Sequence, residues 1–275
     1  MISIIICSRQ KDVSVALRQN IDDTIGCQYE LIVIDNSRNK QSIFTAYNEG
    51  VKEAHGDILC FMHEDIWFHT RDWGMAVEKR FQSDASLGLI GNLGSHFMPK
   101  CVCALGDSGL LSSNYYTRDK KEHFRESRYF DESGCVEVVV VDGMWYCIRR
   151  QLFDGRKIWY DESFEGFHYY DLDICMQVWE AGYKCIVVDD VEMEHYSEGD
   201  IDRTFLNNSF RFFDKWKDNL PMLKGVELTE TEYYLSAKLS EISAYCRELS
   251  FYHRRYKNSF PQRVKRWIKK HASKD

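Results

Sequence analysis

The stretch that decides the fold of this chain reads Gly56-Asp57-Ile58-Leu59-Cys60-Phe61-Met62-His63-Glu64-Asp65-Ile66. A short apolar run, typical of a buried strand, leads directly into three consecutive polar residues that can all bind a metal ion. In open α/β sheets, ligands bind at the carboxyl ends of the strands, which is where these side chains would lie. Oxygen ligands at that edge suit Mg²⁺ or Mn²⁺. Taken alone, the same residues also fit a polar exit from a strand without a metal, so the rest of the sequence has to decide.

Strands and helices are predicted to alternate along most of the chain. Residues 2–7 and 30–34 are continuous apolar runs, as expected for parallel strands buried on both faces. The same criteria predict helices at 13–24, 42–54, 72–82 and 171–181 and further strands at 57–62, 87–91, 136–141, 145–149 and 184–188. The alternation predicts an α/β fold with a Rossmann-like, mostly parallel central sheet flanked by helices.

Two parts of the chain depart from this alternation. Residues 92–135 show no clear period, and an irregular segment of that length is usually functional. From about residue 201 the chain is predicted to be helical, with two apolar stripes that we interpret as core: Phe205, Leu206, Phe210 and Phe213, then Leu235, Leu239, Ile242, Cys246 and Leu249. The predicted organisation is one α/β domain over residues 1–200 and a helical C-terminal extension with a basic tail over 201–275.

The composition bounds the class of protein. Hydrophobic residues make up 44% of the chain and aromatic residues 14%, which is enough for a packed core. The apolar start, residues 1–7, is too short for a signal peptide and lacks a basic flank. The ten cysteines are scattered, mostly in apolar segments, and we interpret them as reduced thiols of a cytoplasmic protein.

The charge is unevenly distributed. The net charge is −7, yet residues 254–275 contain nine Lys or Arg and one acid. Residues 252–275 interleave these cations with aromatic side chains, a pattern typical of an interfacial helix on an anionic leaflet, here the inner face of the cell membrane. A solvated terminal helix and a protein-binding surface are the alternatives. Nucleic acid is not expected as a partner, because the acidic body would repel it and no recognition module is visible.

Polar elements follow several of the predicted strands. Asp35, Asn36 and Ser37 come after the second strand, where an acid can accept hydrogen bonds from a nucleobase or a ribose hydroxyl, or can cap the next helix. The other elements are Ala46-Tyr47-Asn48-Glu49-Gly50, Val141-Asp142-Gly143-Met144-Trp145, Tyr169-Tyr170-Asp171-Leu172-Asp173, Gly182-Tyr183-Lys184 and His195-Tyr196-Ser197-Glu198-Gly199.

In this order and spacing, the segments resemble family 2 glycosyltransferases of the GT-A fold over roughly residues 2–199. The resemblance implies inverting transfer of a sugar from a UDP-, GDP- or dTDP-sugar to a hydroxyl of a glycan or lipid-linked glycan, as in surface polysaccharide biosynthesis. It assigns the general base to Asp171 and metal contacts to Asp65 and His195. It places the nucleotide-sugar near these donor-binding residues: Asp35, Asn36, Ser37, Asn48, Gly143 and Trp145. Trp145 and His168 could stack on a sugar ring or could belong to the core.

The chain departs from the family pattern at two positions. His63 stands where the family's DxD motif has its first Asp, and imidazole suits Mn²⁺ better than Mg²⁺, so Asp65 becomes the main expected ligand. Tyr170 replaces the Glu that precedes the base. Asp173 is an alternative base, but it lies about 200° around a helix from Asp171, so only one of the two can face the site. We favour Asp171.

Two other functions remain open at this point. His63 and Tyr170 also fit a catalytically lapsed GT-A domain that binds a nucleotide or a glycan. His63, Asp65 and His195 also fit the ligand set of a metal-dependent hydrolase. The sequence leaves the donor sugar, the acceptor and the oligomeric state open.

Overall fold

The computed structural model describes residues 1–117, 122–126, 129–196, 201–257 and 264–265. Most of the predicted membrane-contacting segment, 252–275, therefore lies outside the described residues. The helices are α1 Val15–Thr24, α2 Ile43–Glu53, α3 Trp73–Ser83, α4 Tyr170–Glu180, α5 Arg203–Trp216 and α6 Glu230–Lys257. The strands are β1 Ile2–Ser8, β2 Tyr29–Asp35, β3 Ile58–Met62, β4 Ile66–Phe68, β5 Leu87–Gly91, β6 Leu93–Ser95, β7 Phe97–Met98, β8 Leu111–Thr117, β9 His123–Glu126, β10 Cys135–Glu137, β11 Val140–Val141, β12 Trp145–Arg149, β13 Lys184–Val188, β14 Met193–His195 and β15 Met222–Leu223.

A seven-stranded sheet forms the centre of the molecule, in the order β10-β13-β5-β12-β3-β1-β2. β1 pairs in parallel with β2 and β3, and β5 pairs in parallel with β13. β12 runs antiparallel between β3 and β5, and β10 runs antiparallel to β13. The predicted α/β fold with a mostly parallel sheet is confirmed: five of the seven strands run in one direction, and only β12 and β10 run against them. The reversal arises because the chain enters β12 from a loop and not through a crossover helix.

A second sheet accounts for the segment that lacked a period in the sequence. Its strands follow the order β11-β6-β8-β14-β4, with β9 paired to β8. Most of these strands are two to four residues long, too short to show an alternating pattern in the sequence. The predicted strand 136–141 is divided between β10 in the central sheet and β11 in the second sheet. The two sheets meet near β3 and β4, where the motif of residues 63–65 connects them.

Helix α2 shows why the Asn-x-Gly element has a glycine. Ser42 caps the helix by accepting a hydrogen bond from the backbone N–H of Thr45. Phe44, Tyr47 and Val51 lie on its buried face. A Cβ at Gly50 would collide with the side chain of Ile5 in β1, so the glycine allows the helix to approach the sheet closely.

The C-terminal part of the described chain is helical apart from the short strand β15, which pairs with β7. Helix α5 is tied to α4, because the Trp216 indole N–H and the Lys215 ammonium both donate to the Asp173 carboxylate.

Among the described residues, no helix has the length and apolar character needed to cross a membrane. The boundary at residue 200 remains a prediction.

Candidate active site

The turn between β3 and β4 holds the central part of the site. The backbone N–H of His63 donates to the Met144 carbonyl at 3.0 Å, which joins this turn to the start of β12. On the other side, β14 pairs antiparallel with β4 and places His195 opposite Ile66. Residues far apart in the sequence therefore converge at the carboxyl end of β3, as predicted for a ligand-binding edge.

His63, Asp65 and His195 come together in one cluster. Nδ1 of His63 lies 3.2 Å from Nε2 of His195. Oδ1 of Asp65 lies 3.6 Å from His195 Nε2 and 4.0 Å from His63 Nδ1. Each residue thus presents one potential ligand atom, and these atoms all lie within 4.8 Å of one another.

Tyr170 controls which nitrogen of His63 carries the proton. Its hydroxyl donates to the Gly143 carbonyl, which can only accept, at 3.1 Å. The same hydroxyl lies 2.9 Å from Nε2 of His63. When the hydroxyl proton is donated to Gly143, Nε2 of His63 is the donor to the tyrosine oxygen. The unprotonated Nδ1 of His63 then faces Asp65 and His195.

The cluster fits a divalent cation. Two adjacent ligands about 2.1 Å from an ion lie roughly 3.0–3.4 Å apart in octahedral or tetrahedral geometry. The observed separations of 3.2–4.0 Å approach that range. Burial and the neighbouring His195 lower the pKa of His63, so its ring is neutral at pH 7 and a lone pair is available. Two imidazoles with one carboxylate favour Mn²⁺ over Mg²⁺.

Asp171 lies in the first turn of α4. Its Oδ2 accepts a hydrogen bond from the Gly143 backbone N–H at 2.8 Å, and its Oδ1 accepts one from Leu172 at 3.0 Å. Burial, together with the negative charge of Asp142, raises the pKa of Asp171 to about 7. A carboxyl group with a pKa near the working pH is well suited to accept a proton during a reaction.

The contacts of Asp173 indicate a structural role. The side chain is buried and accepts hydrogen bonds from Trp216, Gln177 and Lys215. It therefore has no open side toward a substrate, whereas Asp171 lines a cavity. This difference favours Asp171 over Asp173 as the candidate base, in agreement with the expectation that only one of the two can face the site.

Two cavities meet at His63. The larger cavity, about 520 Å³, is lined by residues from the ends of β1, β2 and β3, including Arg9, Asn36, Ser37, His63, Glu64 and Asp65. The smaller cavity, about 340 Å³, is lined by Asp142, Gly143, Asp171, His195 and an apolar wall that includes Leu105 and Phe205. Phe167 and His168 line both cavities. The arrangement can hold two reactants side by side.

Glu64 belongs to the larger cavity although its role was uncertain in the sequence. Its carboxylate accepts hydrogen bonds from the Ser8 hydroxyl and from the Arg9 backbone N–H, the latter at 3.3 Å. The Arg9 guanidinium is 3.4 Å away. Glu64 thus joins the turn to the end of β1 and presents an acid beside Asn36 and Ser37. No sequence pattern indicated a role for Arg9 or for the exposed ring of Phe167.

Two of the predicted donor-binding residues, Asn48 and Trp145, have side chains that are buried in other contacts. Asn48 is buried and bonds the Tyr160 backbone and Glu162, so its side chain holds the loop before α4. Trp145 is buried, and its ring packs edge-on against Trp73 at 6.0 Å between centroids.

Asp35 is exposed at the end of β2, where its carboxylate accepts a hydrogen bond from the Ser37 backbone N–H at 2.9 Å. Gly143 is in the site, and a Cβ there would collide with the Tyr170 hydroxyl.

Comparison with known proteins agrees with this architecture. The sequence model of a "Glycosyltransferase like family" matches residues 3–208, and the chain belongs to that family, which confirms the resemblance. No curated protein matches the chain in sequence.

Solved GT-A glycosyltransferases share the fold. GalNAc-T7 with UDP, GalNAc and Mn²⁺ matches with a TM-score of 0.57 and 12% identity, over 80% of this chain and 49% of that one. S. aureus TarS in complex with UDP-GlcNAc matches with a TM-score of 0.52 and 11% identity, over 91% of this chain and 72% of that one. This chain therefore spans about half of the GalNAc-T7 structure.

Proposed function

We propose that the protein transfers a sugar, with inversion, from a nucleotide-diphosphate sugar to a hydroxyl of a glycan or lipid-linked glycan. The observation that carries this proposal is the pairing of two cavities across His63. The cluster suited to a cation and a diphosphate lies where the two cavities meet, and the smaller cavity contains a carboxyl group with a pKa of about 7. The family and the fold support the same class of reaction.

In this proposal the acceptor is activated in the smaller cavity and the leaving nucleoside diphosphate is held on the side of the larger cavity. An acceptor hydroxyl in the smaller cavity loses its proton to Asp171 as its oxygen attacks the anomeric carbon. The nucleoside diphosphate leaves on the side of the larger cavity, so attack and departure occur on opposite faces and the configuration inverts. His63, Asp65 and His195 would hold the metal ion. When bound, a divalent cation offsets the negative charge that develops on the leaving diphosphate.

The donor-side residues favour Mn²⁺ and a nucleotide that can donate hydrogen bonds. Glu64, Asn36 and Ser37 lie at the ends of β1–β3 in the larger cavity, where a base N–H or a ribose hydroxyl would meet acceptor oxygens. UDP-, GDP- and dTDP-sugars all offer such donors. GalNAc-T7 and TarS were solved with UDP or UDP-GlcNAc, which makes UDP-sugars the first donors to test.

A donor panel tests the proposal. Thermal shift and donor consumption are measured for UDP-, GDP- and dTDP-sugars with Mn²⁺, with Mg²⁺ and with EDTA. We expect one donor to stabilise the protein with Mn²⁺ and the shift to fall with EDTA or in Asp65→Asn. Equal nucleotide affinity with EDTA and with Mn²⁺ would contradict the metal assignment. Binding without transfer to any of a set of glycan acceptors would favour a catalytically lapsed domain.

The His63–Asp65–His195 cluster also supports a second candidate, a metal-dependent hydrolase. That function predicts a tightly held transition metal in the purified protein and donor cleavage without an acceptor. Elemental analysis combined with the donor panel distinguishes it from transfer, in which free sugar is a minor product.

We propose that the protein acts in the cytoplasm at the inner face of the membrane, on a precursor of a surface polysaccharide. The support is the basic, aromatic-rich sequence of residues 252–275, which suits an anionic leaflet. Flotation with vesicles containing phosphatidylglycerol, compared with purely zwitterionic vesicles, tests this placement. Equal recovery with both would contradict it.

A further inference from the structure

Helix α6 turns most of its large apolar side chains away from the body of the protein. Ile242 is 59% exposed and Tyr245 is 62% exposed. The other members of this outward stripe are also about half exposed: Leu235, Leu239, Leu249 and Tyr252. The interpretation of the stripe as core was therefore wrong. A contiguous exposed apolar face on a long helix marks an interaction surface.

The opposite face of α6 packs on the body through small and polar residues and through Tyr233, whose ring lies 4.9 Å from that of Phe97. Ser240 is fully buried, and Ala237 and Ala244 are partly buried. Arg247 pairs with Asp107, with a distance of 2.8 Å between Nη1 and Oδ1, and its guanidinium lies over the Phe205 ring. These contacts already fix the helix, so a rotation that buried the apolar stripe would break a buried ion pair.

The stripe has the spacing of a coiled coil. Leu235, Ile242 and Leu249 recur every seventh residue, and so do Tyr245 and Tyr252. A strict seven-residue repeat produces a narrow seam that a second helix covers by side-chain interdigitation. A helix lying on a lipid surface typically shows a broader apolar face flanked by cations. Here the seam is flanked by the exposed acids Glu232 and Glu241 and by one lysine, Lys238, which pairs with Glu241.

The charge pattern determines which helix fits. Residues 230–243 carry three acids and one lysine, whereas residues 244–257 carry one acid and four basic residues, of which Arg247 is paired with Asp107 on the inner face. An antiparallel copy of α6 centred near residue 243 brings each acidic half beside a basic half. In that register Leu235 faces Tyr252 and Ile242 faces Tyr245, while Leu249 faces the aliphatic stem of Lys238. The acidic half of one helix then lies beside the basic half of the other, and apolar residues meet at the 235–252 and 242–245 pairs of the seam.

We propose that α6 is the interface of a homodimer in which two copies pair antiparallel about a two-fold axis near residues 243–244. Such an interface is isologous, because the same patch serves both chains. The helix is 28 residues long, or about 42 Å at 1.5 Å per residue. This surface is separate from the two cavities of the site, so the inference does not depend on the proposed function.

Sedimentation velocity on the full chain tests the dimer. We expect the wild-type protein to sediment as a dimer at micromolar concentration and Ile242→Glu to weaken dimerisation roughly 100-fold or more, since two carboxylates would meet near the axis. Ser250→Glu, on the same exposed side but outside the seam, is the matched control and should remain dimeric. Circular dichroism checks that both variants keep their helices.

Cross-linking tests the orientation. In a Cys246→Ser background, a short thiol-reactive linker should join Leu235→Cys of one chain to Tyr252→Cys of another and should not join two Leu235→Cys chains. The reverse result would overturn the antiparallel arrangement. A monomeric wild-type protein, or a dimer that survives Ile242→Glu together with Leu249→Glu, would overturn the interface. Monomers that bind anionic vesicles through Ile242 would assign the stripe to a membrane instead.

Discussion

Helices α4 and α6 both depart from the usual partition of polar and apolar residues, and they do so in opposite directions. α4 carries the carboxyl groups of Asp171 and Asp173 into the protein, whereas α6 presents Ile242 and its neighbours to solvent. Both arrangements cost stability in the isolated chain. The comparison shows that a buried acid is a candidate catalytic group only when its hydrogen-bond partners leave one side open. Likewise, an exposed apolar residue indicates an interface only when it belongs to a repeat.

The largest expected effect comes from Asp171→Asn. The amide cannot accept the acceptor proton, so we expect the transfer rate to fall by about 10²–10⁴-fold. Nucleotide binding should be retained, because the larger cavity is unchanged. Donor consumption in the presence of acceptor and a thermal shift with UDP measure the two effects. Transfer at the wild-type rate would show that Asp171 is not the base.

Asp173→Asn should affect folding instead. The substitution removes the negative partner of Lys215 and weakens the bond to Trp216, so we expect the free energy of unfolding to fall by about 2–4 kcal/mol. Urea unfolding measures the loss. Asp161→Asn removes the more exposed partner of the same lysine and should cost less. An equal loss of stability in both variants would contradict the distinction.

Tyr170→Phe tests the control of the His63 tautomer. Without the hydroxyl, Nε2 of His63 loses its partner, and Mn²⁺ affinity should fall by about 10-fold. Titration calorimetry with Mn²⁺ gives this value independently of activity. Tyr169→Phe is the matched control, because its hydroxyl bonds the Cys103 carbonyl, away from the cluster. Equal Mn²⁺ affinity in wild type and Tyr170→Phe would show that the tyrosine does not orient the ligand.

The raised pKa of Asp171 predicts the pH dependence of transfer. The base must be ionised, so kcat/KM should decrease as the pH falls through about 7. The same shift has a consequence for folding, because a pKa above that of the unfolded chain favours the folded state when the group is protonated. That contribution is present at acidic pH and is lost as the pH rises through about 7. Asp171→Asn should therefore raise the melting temperature more at pH 8 than at pH 5.

The smallest expected effect is that of Ile242→Glu on the folded monomer. Its side chain lies on the outward face of α6, so the free energy of unfolding of the monomer should change by no more than about 0.5 kcal/mol. Urea unfolding at a concentration below the dimer dissociation constant measures it. A loss comparable to that of Asp173→Asn would show that α6 packs through its apolar face after all.

The sequence predicted the fold through long, strongly patterned segments. The apolar runs of β1 and β3 and the apolar spacing of α2 determine local structure by themselves. The second sheet was missed because its short strands are specified by long-range pairing, as in the contact between β8 and β14. The direction of β12 was likewise not visible, since an apolar strand looks the same in either orientation.

For the candidate site, the sequence selected the cluster and the candidate base but not the residues that support them. His63, Asp65, His195 and Asp171 were selected by residue type and order, and the structure brings them to one edge. Asn48 was misplaced because an Asn in a helix gives no indication of which loop its amide will bond. The role of Tyr170 could not be predicted, since it depends on a hydroxyl that lies between His63 and Gly143 only in the folded chain.

The ion pair between Arg247 and Asp107 joins the two regions. Asp107 follows the loop residues Ala104, Leu105 and Gly106, which form part of the wall of the smaller cavity, so α6 also supports that wall. Shortening the protein at residue 229 would therefore remove the proposed self-association surface and, at the same time, the support for the wall of the smaller cavity. An inactive truncated protein would carry no information about assembly. Only substitutions confined to the outward face can separate effects on self-association from effects on catalytic activity.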